Sequence, residues 1–453
     1  MIAAENERLT RVGPGTPMGE LMREHWLPAC LASELKPGAA PLRLMLLGEK
    51  LVAFRGPDGT VGILDHVCPH RCASLFFGRN EEGGLRCVYH GWKFAPDGTC
   101  LDQPNVPPQF AFADRVKARA YPAVERNGVI WTYMGRKAES PPLTAVEAML
   151  LPEAEVRLSC AIRACNYLQV LEGEIDTSHF GFLHGGAVAT EDLDPADLNS
   201  LSLKDRAPNY HVRETAWGAM YAAYRETGSD TLYYRVAHFL MPFYTMFPDG
   251  LFERNIVCDA AVPMDDTHTM VFTWMYRGRT PGVRRLKDGR PIPGLDRDEE
   301  YLPNGTGWFD RWRTVANAGN DYLIDRDAQA AVSADEASFS GLTGVQLQDQ
   351  AVVESMGAIV DRTREHLSVS DRMIVVTRKR LLKALAAHAA GEGARCAGEP
   401  QLLQQARSGA YLAAARRDWF AAYADQIRIA HNPTGVLHLD ADQDSNLEEE
   451  SAG

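Results

Sequence analysis

The chain has 453 residues, enough for two or more hydrophobic cores, since single domains usually run to about 100–200 residues. A net charge of −13 argues against nucleic acid as a partner, because affinity for phosphate comes largely from Lys and Arg. With 45% hydrophobic residues, no apolar run near about 18 residues and a polar, charged start from Met1 to Pro14, the sequence reads as a soluble globular protein of the cytoplasm, without a membrane span or signal peptide.

Residues 1–40 are predicted as a helix and a loop, punctuated by Pro14, Pro17 and Pro28, that pack on the later part of the chain. From 41 to 135 the texture is β-like. Short apolar runs, Leu44–Leu47, Leu51–Phe54 and Val61–Leu64, alternate with turn signals such as Gly56-Pro57-Asp58-Gly59 and Pro96-Asp97-Gly98, and Val129–Tyr133 reads as one more strand. A linker with Pro141-Pro142 follows. The segment 136–436 mixes both element types, which makes the fold α+β. Asn166–His179 is predicted as a helix on the spacing of Leu168, Leu171 and Ile175. Tyr233–Phe247 and Thr269–Tyr276 are rich in β-branched and aromatic residues and read as strands. Arg277–Gly307, rich in Gly, Pro and charge, reads as a surface insertion, and Ala351–Val360, Ile374–Ala390 and Gln401–Ala422 as helices. The end, 437–453, is acidic and predicted to be disordered.

Nine cysteines, an odd number at low density, do not make a disulfide framework. Four residues stand out by spacing: Cys68-Pro69-His70, then sixteen residues, then Cys87-Val88-Tyr89-His90. Two loops, each offering a Cys and a His, suit a Rieske [2Fe–2S] centre, in which two thiolates hold one iron and two imidazoles the other. A Cys2His2 zinc site is the competing reading, but zinc fingers pair Cys with Cys and His with His. The flanks Cys68-Pro69-His70-Arg71 and Tyr89-His90-Gly91-Trp92-Lys93-Phe94, followed by Asp97-Gly98, resemble the Rieske domain of ring-hydroxylating oxygenases. The respiratory Rieske proteins carry an extra disulfide in these loops. Tyr89 stands where its second cysteine would be, so Cys72 is expected to be a free thiol. Trp92 and Phe94 replace that type's hydroxyl donors to the cluster, which implies a low potential, testable by redox titration.

A second constellation is Asp176-x2-His179-x4-His184. Two His and one carboxylate can form a facial triad for Fe(II), although the spacing alone fits a structural pair equally well. The order of Rieske loops and then this segment resembles the oxygenase α (catalytic) subunit. The resemblance implies a helix-grip-like larger domain, an antiparallel sheet surrounded by helices. It implies a third iron ligand on a later helix, assigned to Asp349 in Gln348-Asp349-Gln350, with Glu354 and Asp361 as competitors. It also implies that Asp176 links His179 to His90 of a neighbouring subunit. The segments around Gln348–Met356 and Asp361–Asp371, with the C-terminal helices, resemble the phthalate-dioxygenase-like branch, whose members form homotrimers or stacked trimers. That resemblance implies a small aromatic substrate, often carboxylated, O2, and electrons from NAD(P)H through a separate flavin/iron–sulfur reductase. The expected activity is cis-dihydroxylation, with monooxygenation or O-demethylation on the same scaffold as the alternative and a plain Rieske electron carrier as a remote one. Arg206 and Arg235 are the candidates for binding a substrate carboxylate by a bidentate fork.

Overall fold

The computed structural model describes residues 1–228, 230–295, 299–331 and 338–440. Two four-stranded antiparallel sheets form the smaller β module. One joins Leu42–Leu46, Glu49–Arg55, Val61–Asp65 and Ala120–Tyr121; the other joins Arg79–Glu81, Gly84–Arg86, Lys93–Phe94 and Cys100–Asp102. Val52, Phe54, Leu64, Leu75, Leu85 and Phe94 fill the core around Cys68 and Cys87. The expected strand Val129–Tyr133 is present, paired on one side with Ala123–Arg126. On its other side runs Trp26–Leu31, a wholly buried strand inside what the sequence suggested was helix and loop. Two short helices, Ala3–Thr10 and Pro17–Arg23, precede it and pack against the long helix Arg372–Ala389.

The larger part is built on an eight-stranded antiparallel sheet. Its order is Val156–Arg163, Thr269–Tyr276, Val257–Pro263, Tyr244–Met246, Thr231–Leu240, Gly218–Glu226 and Asn209–Thr215, with Gly409–Ala414 added against Thr231–Leu240. Thr269–Tyr276 matches its expected bounds. Tyr233–Phe247 is broken into two strands by a turn that includes the cis Met241–Pro242 bond. Gln401–Ala422 is not a helix: a short 3-10 turn, Pro400–Gln405, leads into the strand Gly409–Ala414, and the helix comes later, at Trp419–Ile429. Gly409, at φ +141°, sets the extended path, and its backbone lies so close to Phe252 that a Cβ would sit 2.5 Å from the Phe252 Cα. Ladder pairing to Thr231–Val236 outweighs the helical spacing of the apolar residues.

Helix Tyr167–Glu174 lies on this sheet, against Val257–Pro263, and against helix Val345–Ser355, which starts and ends earlier than the predicted Ala351–Val360. A buried ionic knot anchors it. Glu172 accepts from Arg362 Nη2 at 2.8 Å and from Arg378 Nε at 2.6 Å, tying the helix to Arg372–Ala389. Arg277–Gly307 is not a mere surface insertion, since Val283, Leu286, Ile292 and Leu295 bury themselves against Leu193 and Leu203. Leu437 is buried and Asp440 bonds Gln405, so the packed body reaches Asp440; the rest of the acidic tail lies outside the described residues. Among the described residues no helix is long and apolar enough to cross a membrane.

Candidate metal centres and active site

The two Cys/His loops of the β module share one backbone plan. Ladder pairs Val67–Ser74 and Arg86–Lys93 close them. In each, the amide of the cysteine donates across the loop, Cys68 to the Ala73 carbonyl and Cys87 to the Trp92 carbonyl, both at 2.8 Å. The residue four on donates back to the cysteine carbonyl, Cys72 at 2.8 Å and Gly91 at 3.0 Å. Both of these residues have positive φ, +58° and +78°. Gly91 is required there, because a Cβ would lie 2.6 Å from Pro104 Cγ. Cys72 is the equivalent residue of the first loop; it is exposed, and all nine cysteines are free thiols.

This plan brings the four side chains together as two pairs. Cys68 and Cys87 are buried at 1% and 2% exposure, and their thiols interact. His70 and His90 meet edge to face, ring centroids 4.4 Å apart, nearer the surface. Trp92 stacks on His70 at 4.3 Å and donates its indole N–H to Asn105 Oδ1 at 2.7 Å. A single zinc ion needs all its ligand atoms around one point. Among the described residues only His179, His184 and Asp349 bring three ligand atoms within 4.8 Å of one another. Separate thiol and imidazole pairs fit a two-iron cluster better than one tetrahedral ion.

The second site sits where the chain leaves helix Tyr167–Glu174. Asn166 caps this helix, accepting from the Leu168 amide at 3.1 Å. It stops at Glu174, short of the expected His179. The physical cause is Asp176: its Oδ1 accepts from the Ser178 amide and hydroxyl, both at 2.7 Å, and this Asx turn competes with helical bonding. His179 then begins a separate 3-10 turn, His179–Gly181, and His184 returns to it. His179 Nε2 and His184 Nε2 are 3.1 Å apart, and Asp349 Oδ1, on helix Val345–Ser355, lies 3.2 Å from His184 Nε2 and 3.5 Å from His179 Nε2. Three atoms on adjacent corners around an ion, each about 2.1 Å from it, would be about 3 Å apart, so this triangle fits a facial ligand set. The competitors are engaged elsewhere: Glu354 accepts from the Ala164 amide and Tyr322, while Asp361 caps an exposed turn through Thr363.

Each imidazole has a carbonyl or carboxylate behind it. His184 Nδ1 is 2.5 Å from Gln348 Oε1, and Gln348 is itself held by its Nε2 on the Leu342 carbonyl at 2.8 Å. Nδ1 is therefore the protonated nitrogen and Nε2 keeps its lone pair for a metal. On the other ring, His179 Nδ1 faces Asp176 Oδ2 at 3.7 Å. Asp176 thus stands behind His179 rather than among the three converging atoms.

A cavity of about 750 Å³ opens from the triad. Phe180, Phe247, Met275, Tyr301 and Trp312 give it apolar walls. Of the aromatic residues in the stretch Tyr233–Phe247, Phe247 lines the cavity, whereas Tyr233, Tyr234, Phe239, Phe243 and Tyr244 are core. The two arginine candidates part company. Arg235 lines the cavity at 7% exposure, donates Nη2 to the Pro248 carbonyl at 3.0 Å, lies over the Phe180 ring, and has a buried Nε with no partner among the described residues. Arg206 does not line it: its guanidinium lies over Phe182 and donates to the Gly186 and Val188 carbonyls, pinning the loop after His184. Sequence reasoning missed Arg279 and Arg284, which reach the cavity from the supposed surface insertion and share the half-buried Asp249 at 2.8 and 2.9 Å.

Known proteins agree with this architecture. Residues 25–122 match the Rieske [2Fe-2S] domain family, and residues 132–438 the family described as LigXa C-terminal domain like. The chain is 48% identical to the 3-chlorobenzoate-3,4-dioxygenase oxygenase subunit of Comamonas testosteroni, over 94% of this chain and 98% of that one. It is 36% identical to the phthalate 4,5-dioxygenase oxygenase subunit of Pseudomonas putida, over 92% and 93%. Among solved structures, dicamba monooxygenase bound to dicamba superposes with a TM-score of 0.53 at 20% identity, over 82% of this chain and 99% of that one, a likeness of fold. Profile matches over both parts of the chain, and near full-length identity to two oxygenase subunits, place the protein among the Rieske non-haem iron oxygenases, as a catalytic subunit of the phthalate-dioxygenase-like branch.

Proposed function

We propose that this oxygenase cis-dihydroxylates a small aromatic carboxylate. The observation that carries the reading is Arg235, a cation whose buried Nε–H has no partner among the described residues, in the wall of the cavity that also contains the triad. A guanidinium so placed binds a carboxylate by charge-assisted bonds, and the apolar walls fit a ring. The names of the relatives at 48% and 36% identity, both acting on ring acids, support the same substrate class.

Cys68, His70, Cys87 and His90 would hold the [2Fe–2S] cluster, and His179, His184 and Asp349 the Fe(II); bound, these groups store electrons and activate O2. Gln348 keeps His184 in the tautomer that offers Nε2. Asp176, which faces His179 Nδ1, would in a homotrimer or stacked trimers accept from the partner subunit's His90, giving electrons a path between protomers. Electrons come from NAD(P)H in the cytoplasm through a separate flavin/iron–sulfur reductase. Trp92 and Phe94, which have no hydroxyl to donate to the cluster, suit a low potential.

A panel of benzoate, chlorobenzoates, phthalates and arylsulfonates, run with a surrogate reductase, tests the reading by coupled O2 uptake and product. At least one carboxylate should give a cis-diol. Arg235→Met should raise its KM about tenfold to a hundredfold, the loss of one charged hydrogen-bonded contact. Turnover of neutral aromatics alone, or no effect of Arg235→Met on acids, would overturn it. The chain is also 30% identical to the 5,5'-dehydrodivanillate O-demethylase oxygenase subunit of a Sphingobium, over 86% of this chain and 82% of that one. Formaldehyde release from methoxybenzoates would select demethylation instead.

A further inference from the structure

The arginines of the cavity wall are not equally available. Arg235, Arg279 and Arg284 all line the cavity, and so does Asp249. Arg235 donates to the Pro248 carbonyl at 3.0 Å, and Arg279 to the next carbonyl along the chain, that of Asp249, at 2.7 Å. Consecutive Cα atoms are about 3.8 Å apart, so these cations are neighbours on one wall. Arg235 meets no carboxylate among the described residues, and its Nε–H is unpartnered there. The other two are taken. Asp249 Oδ2 accepts from Arg279 Nη1 at 2.8 Å, and its Oδ1 and Oδ2 accept from Arg284 Nη2 at 3.0 and 2.9 Å.

The backbone fixes this carboxylate in place. The Gly282 amide donates to the Asp249 carbonyl at 3.1 Å, and a Cβ on Gly282 would lie 2.7 Å from Asp249 Oδ1. Gly250 pairs with Pro281 in an isolated bridge, where a Cβ would collide with the Thr280 carbonyl. Two glycines thus let the segment carrying both arginines press against Asp249. The three side chains are only 17%, 13% and 22% exposed for Asp249, Arg279 and Arg284, so solvent screens them weakly. Partial burial alone would raise the Asp249 carboxyl, but Arg284 and Arg279 outweigh it and hold it below the usual carboxylate range.

We infer that Asp249 is a specificity-determining residue, an internal counter-ion that fills the place of a second substrate acid, so that the cavity takes rings with one acid group and disfavours rings with two. A carboxylate gripped by two guanidiniums is the contact a substrate acid would itself make at Arg279 and Arg284. A ring with one acid binds at Arg235 and leaves this cluster undisturbed. A second acid aimed at the cluster meets a like charge already bonded to both cations, and juxtaposed like charges discriminate strongly against the wrong ligand. This inference rests on the carboxylate-binding reading of Arg235 and adds to it the number of acid groups.

The test uses the metal-loaded, full-length enzyme without reductant, so that nothing turns over. Calorimetric titration near neutral pH with benzoate and with 1,2- and 1,3-benzenedicarboxylate gives the ratio of each dicarboxylate Kd to the benzoate Kd. In wild type both ratios should be at least about ten. Asp249→Asn keeps the shape but drops the charge, and should lower at least one ratio by about tenfold or more, the effect of a charged hydrogen-bonded contact. Asp249→Glu, which keeps the carboxylate, should stay close to wild type. Arg284→Gln leaves Asp249 short of a cation and should raise the ratios; it decides the matter if Asp249→Asn does not fold. A residue that merely pins the loop would weaken all three ligands alike and leave the ratios unmoved. Unmoved ratios in these variants, or wild type binding a dicarboxylate as tightly as benzoate, would overturn the inference. A failure of the Arg235 reading looks different: Arg235→Met would then leave the benzoate Kd unchanged, whereas an error about Asp249 alone would leave that loss of affinity in place.

Discussion

Asp176→Asn is expected to keep both metal centres loaded and to cut turnover by about a hundredfold, the upper end of what residues behind a metal ligand contribute. Asp176 Oδ1 is fixed by two bonds from Ser178, and Oδ2 is left facing His179 Nδ1. Asparagine keeps this shape but loses the charge and can turn an N–H toward the imidazole. The three converging ligand atoms lie on the other side of the ring, so iron should stay bound. In the proposed trimer, the step expected to fail is electron transfer from the partner subunit's cluster to His179. Reduction of the cluster by reductase should therefore run at the wild-type rate, while its reoxidation by substrate and O2 stalls. Full activity of Asp176→Asn would remove the bridge from the account.

The second large effect concerns Asp349. Its Oδ1 completes a triangle with edges of 3.1, 3.2 and 3.5 Å, and without it two imidazoles remain on one side of the site. Asp349→Ala should lose about one iron per chain, the mononuclear one, and all oxygenation, while keeping the visible and paramagnetic signature of the cluster. Asp361→Ala should keep that iron, because Asp361 only caps the exposed turn at Thr363. Metal analysis of the two purified variants decides between them; iron lost from Asp361→Ala and kept in Asp349→Ala would reverse the assignment.

The cluster loops were legible in the sequence because they are local. Each is closed by its own ladder pair, so spacing alone carries the geometry. Thr269–Tyr276 and Val129–Tyr133 were legible for a similar reason: each is a run of strand-forming residues between turns. Helical spacing misled where side chains or pairing partners intervened. Asp176 ends the iron-side helix early through its own backbone bonds, and the ladder with Thr231–Val236 draws Gly409–Ala414 into a strand. What depended on distant segments was not legible. Gln348 looks like any polar residue beside Asp349 until His184 is seen against it. Arg206 and Arg235 look alike in sequence, and only the chain's path turns one to the cavity and the other to the Gly186 carbonyl. Arg279 and Arg284 sit in a Gly- and Pro-rich stretch whose buried leucines and isoleucine are too sparse to signal a packed loop.

One chain carrying both a two-iron cluster and a separate iron is the core of this account. Anaerobically purified, full-length protein should be coloured and contain about three iron atoms and two acid-labile sulfides per chain. A colourless protein holding only zinc would contradict it.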